Sequence, residues 1–166
     1  MVEDRTNKLD LVVTRIIEAP IELVWKAWTI PEYIMQWWGP QFYTSPSCKI
    51  DLRVGGKYLF CMRAPQNQGG KDSYTTGIFK SIVPLQKLEL TLCPSDKNGN
   101  IIDPSDAGMP ADFPKEMLMS IVFKAKGAMT EITATQYDWT AGQMYVYALA
   151  GLQQSIDKLA QSLAKN

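Results

Sequence analysis

The stretch that decides the fold is residues 19–40, APIELVWKAWTIPEYIMQWWGP, followed after a short connection by residues 48–56, CKIDLRVGG. Four of the five tryptophans of the chain lie between Trp25 and Trp38. Because each such ring buries roughly 150–250 Å² in a core, we expect the core to form around this segment. A tryptophan-rich corner of a packed core is a more frequent role for such rings than direct ligand contact.

This stretch predicts two short helices. Pro20 suits a first helical turn, where its missing N–H costs nothing. The apolar residues that follow are spaced as one face of a helix: Ile21, Val24, Trp25 and Trp28. Thr29 and Glu32 form a capping-box pattern for a second helix, which Gly39 and Pro40 end.

The rest of the chain up to residue 140 favours strands. Residues 9–17 predict a first strand at a sheet edge, covered on both faces for part of its length. Alternation over 49–54 predicts a strand that turns at Gly55-Gly56, and about four more strand pairings follow in an antiparallel sheet. Gly77, inside a strand pattern, predicts a bulge or a close approach of another group. Residues 94–114 form a long irregular segment, of the kind that is usually functional or mobile.

A long helix closes the chain. Thr140 with Gln143 is a second capping-box pattern, and Gly151 in the helix predicts a close approach to the sheet or to a ligand. One apolar face is expected to pack on the sheet, with these members: Tyr145, Ala148, Leu152, Ile156, Leu159 and Leu163. One strand, two short helices, about six further strands and a long helix predict an α+β fold.

Composition narrows the function. The chain has 166 residues, 17 basic and 17 acidic side chains and no histidine. We therefore expect no nucleic-acid partner, no His-based catalytic triad, no His-based zinc site, and neither a metal nor a cofactor. The three cysteines lack a C-x-x-C spacing and are expected to be reduced. With neither a signal-peptide pattern nor a membrane-spanning run, the predicted location is the cytoplasm.

The order of these motifs resembles a known family. An N-terminal strand, then AP…LVWKAW…P…WWGP, then DLRVGG, is similar to the activators of the ninety-kilodalton heat-shock-protein ATPase. That family belongs to the START-like, birch-pollen-allergen-like superfamily, which includes lipid carriers, cyclases and co-chaperones. The family's W-W-G-P matches residues 37–40, and its D-L-R-x-G-G matches residues 51–56. The family's tryptophan in a Gly-Trp pair is replaced here by Leu152, which implies more room or a different ligand shape.

The resemblance implies a helix-grip fold, in which a curved antiparallel sheet wraps a long C-terminal helix with a cavity between them. It predicts one START-like ligand-binding domain over residues 9–166, after a frayed or disordered N-terminus at residues 1–8. Large apolar groups on one strand face suit a cavity wall and a packed core equally well. With the resemblance, they give these candidate ligand-binding residues: Trp38, Tyr58, Phe60, Met62, Phe79, Leu90, Met119, Ile121, Tyr147 and Leu152.

Asp51 and Arg53 are the candidate polar anchors. They lie two residues apart on a predicted strand, so their side chains share a face and could pair with each other. An exposed ion pair near a hairpin is the commoner role for such residues, and it contributes about 0–1 kcal/mol. Anchoring a ligand carboxylate at the cavity mouth is the alternative.

Three functions are consistent with these features. The leading hypothesis is a domain that binds an unknown small hydrophobic ligand. The second is a co-chaperone-like interaction module that stimulates a chaperone ATPase, with a chaperone or a second copy of the chain as partner. The third is a cyclase- or hydratase-type enzyme, in which Tyr58, Tyr137 or Tyr147 would have to replace histidine.

Overall fold

The computed structural model describes residues 8–110 and 113–164. Across these residues a curved antiparallel sheet of seven strands is combined with two short helices and a long C-terminal helix. The elements are β1 (Lys8–Ile17), α1 (Ile21–Thr29), α2 (Pro31–Ile34), β2 (Cys48–Ile50), β3 (Lys57–Arg63), β4 (Asp72–Val83), β5 (Lys87–Ser95), β6 (Met117–Lys126), β7 (Met129–Thr140) and α3 (Gln143–Ala164). The predicted α+β, helix-grip architecture is confirmed.

The strands lie in the order β1-β7-β6-β5-β4-β3-β2. β1 therefore lies at one end of the sheet, as the sequence predicts, and pairs with β7 so that Val13 faces Ala134. The expectation that β1 is covered on both faces is wrong, because Val12 and Ile16 are 50% and 44% exposed. Lys8 already belongs to β1, and the prediction for residues 1–7 lies outside the described residues.

The core lies between the sheet and α3. We call the sheet face that packs toward α3 the inner face, and the opposite one the outer face. Leu152, Ile156, Leu159 and Leu163 of α3 are buried in one cluster with the inner-face side chains, so the predicted apolar face of the helix is confirmed. Gly151 makes no close approach, since a Cβ there would lie 3.8 Å from Pro40, an ordinary contact.

The tryptophan-rich segment packs as one aromatic corner. Trp28 and Trp37 meet edge to face with ring centroids 4.7 Å apart, and Trp37 Nε1 donates to the Ala27 carbonyl at 2.9 Å. The expected capping box is not formed. Thr29 Oγ1 donates back to the Trp25 carbonyl at 2.8 Å, and Ile30 precedes Pro31 as the N-terminal flank of α2.

A half-buried lysine joins this corner to α3. Lys158 Nζ donates to the carbonyl oxygens of Gly39, Pro40 and Tyr43 at 3.1, 3.1 and 2.8 Å. Burial lowers the pKa of the Lys158 ammonium, while the three carbonyls supply acceptors for its three protons. The W-W-G-P motif is therefore attached to the helix by a charged group as well as by apolar packing.

The structure differs from two other local predictions, the strand over residues 49–54 and the capping box at Thr140. The strand expected over residues 49–54 ends at Ile50, because the Arg53 N–H donates to the Asp51 carbonyl at 2.9 Å and closes a turn. Thr140 is the last residue of β7, and its hydroxyl accepts from Lys8 Nζ at 3.2 Å before α3 begins at Gln143.

The close approach expected at Gly77 is confirmed. A Cβ at this position would lie 1.9 Å from the Thr91 carbonyl oxygen on β5. The Tyr58 hydroxyl donates to that same oxygen at 2.5 Å, and the Ile78 N–H donates to Thr91 Oγ1 at 3.0 Å. Glycine is required here because a side chain would separate β4 from β5.

Candidate functional site

A cavity of about 280 Å³ opens at one end of the inner face. Its floor consists of strand residues from β3, β4, β5 and the start of β6, and its roof is formed by residues 102–109 together with residues 113 and 114, which we call the roof segment. This is most of the long irregular segment for which the sequence indicates no structure. The cavity therefore depends on the part of the chain with the least periodic pattern.

Strand register explains why the floor is apolar. Met62 pairs with Ser73 of β4, and Leu92 pairs with Met117 of β6, so these side chains alternate onto the inner face. Thr75 lies on the same face, opposite Phe60 of β3 and Pro94 of β5. Thioether and leucine side chains at these positions make a soft apolar surface that can adapt to a ligand.

The roof segment is held to the sheet by a few specific contacts. The Ile102 N–H donates to the Pro94 carbonyl at 3.0 Å. Asp103 accepts from the Ser105 N–H at 3.0 Å and so caps the short 3-10 turn Pro104–Ala107, and this bond lowers the pKa of its carboxyl. The ring of Phe113 packs edge to face against the ring of Trp139 of β7, with the ring centroids 5.6 Å apart.

Two of the three carboxylates that line the cavity, those of Asp72 and Asp96, already have partners. Asp72 accepts two bonds from Arg63, at 2.7 and 3.1 Å, which lower its pKa. Asp96 accepts from the backbone N–H groups of Asn98 and Asn100, both at 2.9 Å, and the bonds from Asn100 are the largest cause of its lowered pKa. Neither carboxylate has the raised pKa that a general acid at neutral pH would need.

The cysteine among the lining residues is not activated. Cys93 lies among the residues that line the cavity, and burial, followed by the nearby Glu116 carboxylate, raises its pKa to about 11. The thiol is therefore protonated near neutral pH, whereas the thiolate is the reactive form. Within residues 8–110 and 113–164 there is also no group of three or more acidic or cysteine side chains arranged to hold a metal ion.

Most of the residues predicted to bind ligand lie deeper in the core than this cavity. Trp38, Tyr58, Phe60 and Phe79 form one aromatic cluster, with ring centroids 4.3 to 5.7 Å apart. The remaining predicted residues are distributed over the cavity, the inner face and α3: Met62 lines the cavity, Leu90, Met119 and Ile121 are buried on the sheet, Leu152 is buried on α3, and Tyr147 is 63% exposed.

The tyrosines considered as substitutes for histidine are placed unfavourably for catalysis. The Tyr58 hydroxyl is bound to the Thr91 carbonyl, and burial raises its pKa well above 10, so it cannot serve as a base near neutral pH. Tyr137 shares a 3.0 Å hydrogen bond with Ser120 on the outer face. Tyr147 projects from α3 into solvent.

The two candidate polar anchors pair with each other. Arg53 Nε lies 2.8 Å from Asp51 Oδ2, and the two side chains are 69% and 53% exposed. They belong to the connection between β2 and β3 and are not among the residues that line the cavity. An exposed ion pair is the commoner of the two roles expected for these residues.

The roof segment is what sequence reasoning missed. Its aromatic and thioether residues, Phe113 and Met109, stand among prolines without a helical or strand period. The available signal was the combination of large apolar residues with a loop too long to be a simple connection.

Several solved structures share this fold. A protein from Nitrosomonas europaea is 25% identical, with a TM-score of 0.74 and 95% of each chain covered. A protein from Arthrobacter aurescens is 19% identical, with a TM-score of 0.76, covering 99% of this chain and 91% of that one. An AHSA1 protein from Silicibacter pomeroyi is 19% identical, with a TM-score of 0.73 and 94% and 98% coverage.

The sequence comparisons agree with this likeness of fold. No curated protein matches the chain. Among the described helices, none is both long and apolar enough to cross a membrane. The family model described as "Activator of Hsp90 ATPase homolog 1-like protein" matches residues 18–164, a range that includes α1, α2, the W-W-G-P motif and α3. The chain therefore belongs to the Activator of Hsp90 ATPase homolog 1-like family.

Proposed function

We propose that the protein binds a small, mainly apolar molecule in the cavity beneath the roof segment. The observation that carries this proposal is the cavity itself, about 280 Å³ in volume and lined at its floor by Met62, Leu92 and Met117. Ligand pockets combine such apolar walls with a small number of polar groups at the edge. Membership of the family is consistent with a ligand-binding domain.

The volume and the chemistry restrict the ligand. Water occupies about 30 Å³ per molecule in the liquid, so the cavity has room for a molecule equivalent to about nine waters. Arg63 holds Asp72 and backbone N–H groups hold Asp96, while Asp106 and Lys71 add one charge of each sign to the lining, so the cavity has no excess charge that calls for an ionic ligand. A neutral compound with one or two rings, or a short branched chain, fits these walls best.

A solvatochromic naphthalene dye, prodan, tests the proposal. Thr75 lies on the cavity floor and has no side-chain hydrogen bond to another described residue, so it can be enlarged at small cost in polar contacts. Thr75→Phe should fill the cavity and weaken dye binding at least about tenfold, since overlap with a filled volume excludes the ligand. Thr75→Val, which keeps the volume, is the matched control and should bind the dye nearly as the wild type does.

A second variant separates this cavity from the site that the sequence predicts under α3. Leu152→Trp restores the family's tryptophan at a buried position of α3 that is not among the residues lining the cavity. If the dye lies in the cavity described here, Leu152→Trp should leave its affinity unchanged. Loss of binding in Leu152→Trp together with normal binding in Thr75→Phe would place the ligand between the sheet and α3 and overturn the proposal.

A further inference from the structure

A second concave surface lies on the outer face, on the opposite side of the sheet from the cavity. This outer groove has a volume of about 480 Å³ and is lined by β2, β3 and β4 and by the turn at residues 97–100. Leu59 pairs with Thr76 and with Lys49, so these three residues share the outer face. They form the floor and one wall of the groove. The groove shares none of its lining residues with the proposed ligand cavity.

Positive charge is concentrated around this groove. Lys49 from β2, Lys57 from β3 and Lys97 from the turn all line it. Within the part of the chain that the structure describes, none of the three forms an ion pair. Asp51 also lines the groove, but its carboxylate is bound to Arg53 at 2.8 Å. Because the whole chain has zero formal charge, this concentration is a local feature.

The third lysine is placed by a rigid turn. Asp96 accepts from the N–H groups of Asn98 and Asn100 and from Asn100 Nδ2, at 2.9, 2.9 and 3.1 Å. Ser95 and Ile101 form a bridge across the base of the turn. Lys97 therefore begins from a fixed backbone position, and less conformational freedom is lost when its ammonium group meets a ligand.

Protection of a sheet edge explains part of this arrangement. Lysines on edge strands prevent unwanted pairing, and β2, which carries Lys49, lies at the end of the sheet. Lys57 lies on β3, which is paired on both sides, and Lys97 lies in a turn, so edge protection accounts for neither. Three like charges around one groove repel one another, and a bound anion would remove that repulsion.

We propose that the outer groove binds a ligand with clustered phosphate groups. Ammonium groups bind phosphate as point charges, and a concave site with charges of one sign concentrates the opposite ion. The lysines line a groove and not a protruding surface, which favours a soluble phosphorylated compound over the headgroup of a membrane lipid. This inference goes beyond the proposed function and uses the other face of the sheet.

The test uses inorganic tripolyphosphate and isothermal titration calorimetry at low salt, about 50 mM, where screening is weak. The variant Lys49→Gln/Lys57→Gln/Lys97→Gln removes the groove charges. The control Lys26→Gln/Lys124→Gln/Lys126→Gln removes three exposed lysines that do not line the groove, so it changes the net charge equally. The groove variant should bind at least about tenfold more weakly, and the control within about threefold of wild type.

Other outcomes have defined meanings. Equal losses in both variants would show that tripolyphosphate senses the net charge, and would overturn the proposal, as would absence of binding to the wild type. In a second assay, the wild type and the groove variant are each mixed with vesicles that contain phosphatidylinositol bisphosphate. Sedimentation of the wild type with the vesicles, but not of the groove variant, would support phosphate recognition with a lipid as its source. Prodan binding by the groove variant reports independently on the cavity, so failure of one proposal is distinguishable from failure of the other.

Discussion

Gly77 offers a stringent test of the sheet geometry, because its missing side chain lets two strands approach. In Gly77→Ala the new Cβ would lie 1.9 Å from the Thr91 carbonyl oxygen, whereas real Cβ atoms stay beyond about 3.0 Å. β4 and β5 must therefore move apart locally by about 1.1 Å. That movement strains the bonds from the Tyr58 hydroxyl and the Ile78 N–H to Thr91.

The expected cost follows from these contacts. Overpacking of a filled core costs about 1–3 kcal/mol, and each weakened hydrogen bond adds about 0.5–1.5 kcal/mol. Gly77→Ala should therefore lower the free energy of unfolding by about 2–6 kcal/mol, a large part of the roughly 5–15 kcal/mol typical of a domain. Urea denaturation followed by tryptophan fluorescence would measure this difference.

Gly151→Ala is the matched control, since it makes the same chemical change in α3. Its Cβ would meet Pro40 at 3.8 Å, an ordinary contact, so the gain in helix propensity should stabilise the protein by about 0.4–1 kcal/mol. The two glycine variants should thus differ in sign. A Gly77→Ala protein within about 1 kcal/mol of wild type would show that the two strands are not packed as described.

Three further predictions concern other parts of the fold. Trp28→Ala should lower the free energy of unfolding, measured by urea denaturation, by about 3–5 kcal/mol. All of this loss comes from packing, because the Trp28 indole N–H has no hydrogen-bond partner among the described residues, and a loss below about 1 kcal/mol would contradict the burial of the ring. Lys158→Met should cost about 1.5–3 kcal/mol by removing a charged donor from three carbonyls, and Gln161→Met, an exposed change on α3, should cost much less by the same assay. Asp96→Asn should lower the urea midpoint above pH 3.8, where the ordinary carboxyl is charged. The difference in midpoint between variant and wild type should vanish as the pH falls through the lowered pKa of Asp96. A difference in midpoint that persists in strong acid would exclude the Asp96 charge as its cause.

The parts of the fold that could be predicted from sequence are those set by local periodicity. The apolar face of α3 follows from residues three and four apart, and Leu152, Ile156 and Leu159 are buried as expected. The same spacing leaves Tyr147 off this face, and its exposure does not favour the ligand contact that was expected for it. Gly77 was recognisable because a glycine inside a strand pattern needs a reason, and the reason is the Thr91 carbonyl.

The parts that escaped prediction depend on contacts between distant segments. The alternation of residues 49–54 continues past the point where β2 ends, because a backbone bond between Arg53 and Asp51 closes a turn that side-chain polarity does not report. The roof segment depends on Phe113 meeting Trp139 and on Ile102 meeting Pro94. Neither contact has a sequence period, so the cavity beneath the roof segment could not be located before the fold was known.

The pairing of β1 with β7 also determines when the chain can finish folding. Val13 pairs with Ala134, which is synthesised 121 residues later. Because ribosomes add about 5–20 residues per second, the first strand lacks its partner for roughly 6–24 s during synthesis. During that time Val12 and Ile16 extend a β-prone edge that nothing in the nascent chain can yet occupy. Slow release of the last hundred residues would therefore favour aggregation through this strand, and a chaperone that covers the N-terminal segment during synthesis would raise the yield of folded protein.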